Sequence, residues 1–301
     1  MATTSASLER GPAGRIPAGT LLGPVSLVVA DIDRSRAFYE RAIGLRASEL
    51  DDGGLAFGVV GERPVIELRG DSSAPRLNRR GPGLYHLAIL VPTRLDLAFA
   101  LARLAEARWP LDGASDHLVS EALYLSDPDG NGIEIYRDRP RAEWPRSGEQ
   151  LQMSTLPLDL DDLIGELRVA SELQANAPSG TTIGHVHLQV PDLAEAEAFY
   201  HGVLGFDVMV RGYPGALFVS AGGYHHHIGL NTWHSAGAAP APSGSVGLRS
   251  FAVDLPDDRE LAAVLARLET ASIPSTPTAG GVLVRDPFGT GVVLTARAAA
   301  G

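Results

Sequence analysis

The stretch Gly23–Leu45, GPVSLVVADIDRSRAFYERAIGL, lies without a gap over Gly184–Phe206, GHVHLQVPDLAEAEAFYHGVLGF, and this internal match decides the fold. Val25, Leu27, Val29, Asp31, Phe38, Tyr39 and Gly44 coincide with Val186, Leu188, Val190, Asp192, Phe199, Tyr200 and Gly205. A second pair aligns too, GLYHLAILVPTRLDLAFALARL from Gly83 with GLRSFAVDLPDDRELAAVLARL from Gly247. Each half closes alike, with DPDGNGIEIY at Asp127–Tyr136 and DPFGTGVVLT at Asp286–Thr295. Such repetition marks tandem copies of one supersecondary unit.

Inside each half the signals run twice. Val25, Leu27 and Val29 share one strand face by period two. Ala37, Phe38 and Ile43 then follow at helical spacing, with Asp33 placed as the N-cap and Gly44 as the stop. Two glycine-bounded strands come next, around Leu55–Val60 and Pro64–Arg69. The same order restarts at Leu84, Ile183 and Leu248, which predicts four units of about 60 residues each. The division is then a disordered small-residue tail over 1–20, two units over 21–138, a linker over 139–180 and two more units over 181–297. The linker portion PLDLDDLIGELRVASEL has Leu160, Leu163, Ile164 and Leu167 near helical spacing, so a helix packed across the domains is expected there. The Ala/Pro/Ser/Gly-rich run Ser235–Ser245 reads as a loop.

Composition bounds the function. A net charge of -11 argues against nucleic acid, which needs a basic face to replace phosphate counterions. No apolar run is long enough to span a bilayer, and Met1–Ala18 lacks the apolar centre of a secretory signal, so a cytoplasmic location and no membrane partner are expected. The absence of cysteine excludes disulfides, thiolate metal sites and cysteine nucleophiles together.

The patterns [V/H]xLxVxDxxxxxxFYxxxxG and YLxDPxGNxIEIY resemble the vicinal oxygen chelate superfamily of glyoxalases, bleomycin resistance proteins and extradiol dioxygenases. The resemblance covers most of Leu21–Arg297. SEALYLSDPDGNGIEIYRDRP together with GALFVSAGGYHHHIGLNTW looks most similar to catechol-2,3-dioxygenase-like proteins. It implies an α+β fold of four tandem βαβββ modules forming two cupped, barrel-like sheets, one of which holds a metal. It also implies an aromatic diol and O2 as substrates, iron(II) as cofactor with manganese(II) as the alternative, and it allows a homodimer. Fold alone does not fix function, because the superfamily also contains lyases, isomerases and metal-free binding proteins. A glyoxalase-type lyase or isomerase and a non-enzymatic binding or resistance protein are therefore carried as alternatives.

In the superfamily, metal ligands come from the first strand of one module and from the first and last strands of its partner. The matching positions are His86 and Glu134 in module two and His185 in module three; the counterparts in modules one and four are Pro24, Ser250 and Val293. Pairing one with two and three with four would leave two incomplete sets. Pairing two with three, and one with four, unites His86, Glu134 and His185, although a swap between the chains of a dimer would meet the same need. Two histidines and one carboxylate on one face are the set typical of non-haem iron(II) oxygenases. A glyoxalase-type site would add a glutamate on the last strand of module three, and HHHIGLNT offers none.

The resemblance also assigns the surrounding groups. Tyr124 stands ten residues before Glu134, where extradiol enzymes carry an active-site tyrosine. His117 matches a pocket histidine, and His226 matches a histidine that assists proton transfer, work suited to a group titrating near neutrality. His187 shares a strand face with His185; His185 is favoured as ligand and His187 as pocket wall, with His225 and His227 added to the pocket. The bland readings stand beside these. A lone strand histidine is more often a satisfied core residue, a strand tyrosine more often packs than reacts, and DPDGNG is first of all a turn. A glutamate between Ile133 and Ile135 on an inward face, however, is costly without a cation.

Overall fold

The computed structural model describes residues 14–148, 150–170 and 172–297. The first unit runs β1 (Leu21–Val29), α1 (Ile32–Phe38), β2 (Arg46–Glu49), β3 (Leu55–Gly58) and β4 (Ile66–Gly70). The second runs β5 (Gly83–Leu90), α2 (Arg94–Glu106), β6 (Gly113–Asp116), β7 (Ser120–Ser126) and β8 (Gly132–Asp138). A linker with the short helix α3 (Leu160–Gly165) follows. The third unit is β9 (Thr182–Gln189), α4 (Leu193–Glu197), β10 (Asp207–Val210), β11 (Ala216–Ser220) and β12 (Ile228–Asn231). The fourth is β13 (Gly247–Leu255), α5 (Asp258–Thr270), β14 (Ser275–Thr278), β15 (Gly281–Arg285) and β16 (Gly291–Ala296).

The strands form two large sheets, and the units pair across the linker. An eight-stranded sheet has the order β14-β15-β16-β13-β1-β4-β3-β2, so units one and four share it. A nine-stranded sheet has the order β6-β7-β8-β5-β9-β12-β11-β10, with a two-residue strand, Leu156–Pro157, on the β6 edge. Units two and three meet there through the antiparallel pair β5–β9, with His86 opposite His187 and Ala88 opposite His185. The crossed pairing is thus made within one chain.

Local chemistry explains the elements. Asp31, rather than the expected Asp33, caps α1, its carboxylate accepting the Arg34 amide at 3.0 Å. The helix begins at Ile32, two residues earlier than expected, which puts Asp33 in the first turn, where an acidic group suits the helix dipole. The helix then widens into a π turn over Tyr39–Ile43 and stops at Gly44, whose φ of 87° favours glycine. The repeated Phe-Tyr and Asp-Pro-x-Gly motifs meet each other. Tyr39 donates to Asp127 at 3.2 Å and Tyr200 to Asp286 at 3.0 Å, each bond tying the helix of one unit to the final turn of the next. Asp127 also accepts the Asp129 and Asn131 amides, so the motif closes a turn and anchors it.

The linker is held by charge more than by apolar area. Its helix ends at Gly165, short of the expected span, and passes into a 3-10 turn over Glu166–Val169. Leu163 is buried while Ile164 is exposed, so one narrow stripe faces the body. Arg94 of α2 bonds Asp162 and Glu166 of the linker and Glu121 of β7 at 2.7–2.9 Å. Most of the expected disordered tail, residues 1–13, lies outside the described residues. Gly14–Thr20 packs on the body, with Ile16 buried and its amide bonded to the Gly205 carbonyl at 2.9 Å. Among the described residues no helix is long and apolar enough to cross a membrane.

Candidate metal centre and active site

Three adjacent strands at the middle of the nine-stranded sheet, β8, β5 and β9, supply Glu134, His86 and His185. Glu134 Oε2 lies 3.0 Å from His86 Nε2 and 3.1 Å from His185 Nε2, and the two nitrogens are 3.3 Å apart. Donor atoms about 2.1 Å from one ion and at right angles to each other would be about 3.0 Å apart. The triangle therefore fits three neighbouring corners of one octahedral ion. All three side chains are buried, and among the described residues they are the one group of this kind that could hold a metal.

The strand register makes this convergence. Tyr124, Glu134, Ala88 and His185 form one row across β7, β8, β5 and β9, and His86, His187 and Gly229 form the row beside it. Ala88 is the small member between Glu134 and His185, and it leaves room for the ion. Burial would raise the Glu134 carboxyl, but the His185 and His86 imidazoles overcome it and hold the group well below its usual range. Burial lowers His185 to about 4, with Glu134 opposing the shift, so the imidazole is neutral at pH 7 as a metal ligand must be.

The symmetry between β5 and β9 shows what has changed between the two units. Glu134 pairs with Ala88 in unit two, and the equivalent pair in unit three is Gly229 with His187. A Cβ on Gly229 would come within 2.9 Å of the His187 ring. The position for a fourth, carboxylate ligand is therefore a glycine already covered by an imidazole.

A cavity of about 720 Å³ opens above the triad, lined by Tyr85, Met153, Tyr213, Phe218 and Trp233 as well as His86 and Glu134. Tyr124, on the strand flanking Glu134, donates its hydroxyl proton to His117 Nε2 at 2.6 Å. The direction follows from the other ring nitrogen, since His117 Nδ1 faces the Ser154 carbonyl at 2.8 Å and must carry the proton. Burial, followed by the Glu134 charge, raises the Tyr124 pKa well above normal, so the phenol stays protonated. His226 lies beyond the opposite flank, just before β12, with its ring 4.1 Å from that of His185. Burial, then the neighbouring His185, lowers its pKa well below normal.

His187 is among the residues that line the cavity, and His225 and His227, also expected there, are not. The three histidines of 225–227 lie in a turn before β12, and their side chains go to different partners. His225 bonds Asp138 and His226, and His227 Nδ1 accepts from the Ser220 hydroxyl at 2.8 Å and the Ala221 amide at 3.1 Å. Sequence reasoning missed Asp138, Ser154, Tyr85 and Trp233. Asp138 had a signal, being four residues beyond Glu134 and so on the same strand face; Ser154 had none.

The His227 geometry has a pH consequence. Burial, aided by the charge His225 carries when protonated, pushes His227 down to about 3. The unfolded chain takes up a proton below about pH 6.5 and the native site does not, so stability present above that pH is lost as pH falls. One such group costs about 2 kcal/mol between pH 6.5 and 5. His227→Asn keeps an acceptor near Nδ1 and removes the titration. Denaturant unfolding of the metal-free protein should then show a shallower acid limb by about that amount, and an unchanged slope would refute the assignment.

The protein-family model described as Glyoxalase/Bleomycin resistance protein/Dioxygenase superfamily matches residues 21–135 and 182–294. The chain is 45% identical over 272 residues to a Bacillus subtilis (strain 168) protein named catechol-2,3-dioxygenase, covering 89% of this chain and 94% of that one. Among solved structures, a putative dioxygenase from Bacillus subtilis has a TM-score of 0.63 at 15% identity, over 94% of this chain and 86% of that chain. Glyoxalase I from Zea mays has a TM-score of 0.55 at 16% identity, over 92% of each chain. At such identities the two structures support the fold alone.

Proposed function

The chain belongs to the glyoxalase/bleomycin resistance protein/dioxygenase superfamily, and within it we propose an extradiol dioxygenase that cleaves a catechol-type aromatic diol with O2. Iron(II), with manganese(II) as the alternative, would be held by His86, Glu134 and His185. The reading is carried by the convergence of these three donor atoms at 3.0–3.3 Å beneath an aromatic-lined cavity. It is supported by the relative named catechol-2,3-dioxygenase. Held by these three side chains alone, such an ion would have positions open for the diol and O2 and would supply the electron transfer between them.

The remaining work belongs to the chain. The aromatic walls receive a flat ring and exclude water from it. His226, with no partner on Nε2 among the described residues, would take a proton from the diol hydroxyl nearest it, which a bound ion would acidify enough for a base whose pKa burial lowers. Tyr124, kept protonated and backed by His117, delivers or holds a proton on the other flank. Base and acid thus come from opposite sides of the triad, so protons removed from substrate and returned to product need not share a path. The covered glycine at 229 disfavours a glyoxalase-type lyase, which would need a carboxylate there.

The test is oxygen uptake by protein reconstituted anaerobically with iron(II), on adding catechol and a panel of substituted catechols. Uptake matched by a yellow ring-opened product, and absent without metal, is expected. Bound iron with no uptake across the panel would overturn the proposal in favour of lyase or binding-protein chemistry.

A further inference from the structure

Behind His226 runs a chain of polar contacts that the proposed reaction does not itself use. Asp138 Oδ1, at the end of β8, lies 2.8 Å from His225 Nε2. His225 Nδ1 lies 2.8 Å from His226 Nδ1. The His225 ring is fully buried and packs against Tyr224, at 4.0 Å between centroids, and Trp144, at 5.4 Å.

The order of donors follows from elementary bookkeeping. An ionised carboxylate only accepts, so His225 must carry its proton on Nε2. A neutral His225 then has a bare Nδ1, which accepts from His226 Nδ1–H. His226 is left with its electron pair on Nε2, the nitrogen without a partner among the described residues, on a residue that lines the cavity. We propose that Asp138 and His225 are positioning residues which fix the tautomer and orientation of His226, so that a bare Nε2 faces the substrate. The inference rests on the reading of His226 as the substrate-facing base. Without the carboxylate, His225 could equally present Nδ1–H, and His226 would then turn a proton toward the substrate hydroxyl it should deprotonate. Fixing a catalytic histidine through the hydrogen bond on its other nitrogen is a general device.

The tautomer can be read directly. Protein labelled with ¹⁵N-histidine and loaded with zinc, a diamagnetic ion, would be examined by long-range ¹H–¹⁵N correlation, with His226 assigned by its loss in His226→Gln. The expected wild-type pattern is an unprotonated Nε2 and a protonated Nδ1 on His226. In Asp138→Asn the pattern should reverse or become mixed. In the iron-loaded Asp138→Asn enzyme kcat should fall about 100-fold or more, because a wrong tautomer costs as much as about 10⁴-fold in serine proteases. KM and metal content should stay within about twofold of wild type. Asp138→Glu should recover part of kcat, which a packing role alone would not produce. Should Asp138→Asn misfold, His225→Phe keeps the ring packing, removes the acceptor and should show the same fall. A protonated Nε2 in the wild type, or an unchanged pattern and kcat in the folded variants, overturns the inference. Failure of the base reading looks different: His226→Gln would then retain kcat while the wild-type tautomer remains as described.

Discussion

Glu134→Ala is expected to lose the metal and ring cleavage together while keeping its fold. Glu134 would supply the one carboxylate ligand of the triad, and its Oε2 lies within 3.1 Å of both histidine nitrogens. A tightly held divalent ion in a four-ligand protein site is worth about 10–16 kcal/mol, or about 3 kcal/mol per ligand, so one ligand carries about 10²–10³ in affinity. The loss here should reach the upper end, because the triad left behind would hold no carboxylate. Metal analysis after gel filtration should therefore show a near-stoichiometric ion in the wild type and little in the variant. Thermal unfolding gives a second, activity-free readout. Added iron(II) or manganese(II) should raise the wild-type midpoint by mass action and leave that of Glu134→Ala unmoved. A variant that kept both its metal and its turnover would remove the triad from the mechanism.

How far the sequence reached can be followed residue by residue. His86, Glu134 and His185 were legible as candidate ligands because the superfamily resemblance marks those strand positions, and their counterparts Pro24, Ser250 and Val293 offer neither histidine nor carboxylate. The crossed pairing was legible for the same reason, since it alone completes the set within one chain. The Asp31 cap was misplaced by two residues because periodicity marks the helical face but not where the strand lets go. His225 and His227, expected in the pocket, are not among the residues that line the cavity, and residues 225–227 lie in a turn. In that turn each ring follows its own hydrogen bonds, to Asp138, Ser220 and the Ala221 amide. Ser154, whose carbonyl sets the His117 tautomer, lies in the linker, 37 positions from its partner, and a backbone acceptor leaves no trace in residue type. A partner that acts through a backbone carbonyl needs coordinates; a side chain at a strand position that the family resemblance marks does not.

His226→Gln is expected to keep the metal and lose about 10²–10⁴-fold in kcat, the span of general base contributions. Glutamine is near the size of the imidazole and can still hydrogen-bond His225, but it cannot accept a proton from substrate at neutral pH. The cavity above the triad should be little changed, because Phe218 and His185, at 5.0 and 4.1 Å from the ring, define the space it fills. Substrate binding through the ring walls should persist, so KM should move far less than kcat, the signature of an interaction made in the transition state. Stopped-flow measurement under single-turnover conditions would place the loss before or during ring opening rather than at product release. On the proposed arrangement the wild type would owe a bare Nε2 to the contact between Asp138 and His225, with Asp138 four residues along β8 from Glu134. One short strand would thus carry both a metal ligand and the support of the base. A His226→Gln enzyme with kcat within a few-fold of wild type would transfer the proton-accepting role elsewhere, and Tyr124 with His117 would be the pair to examine next.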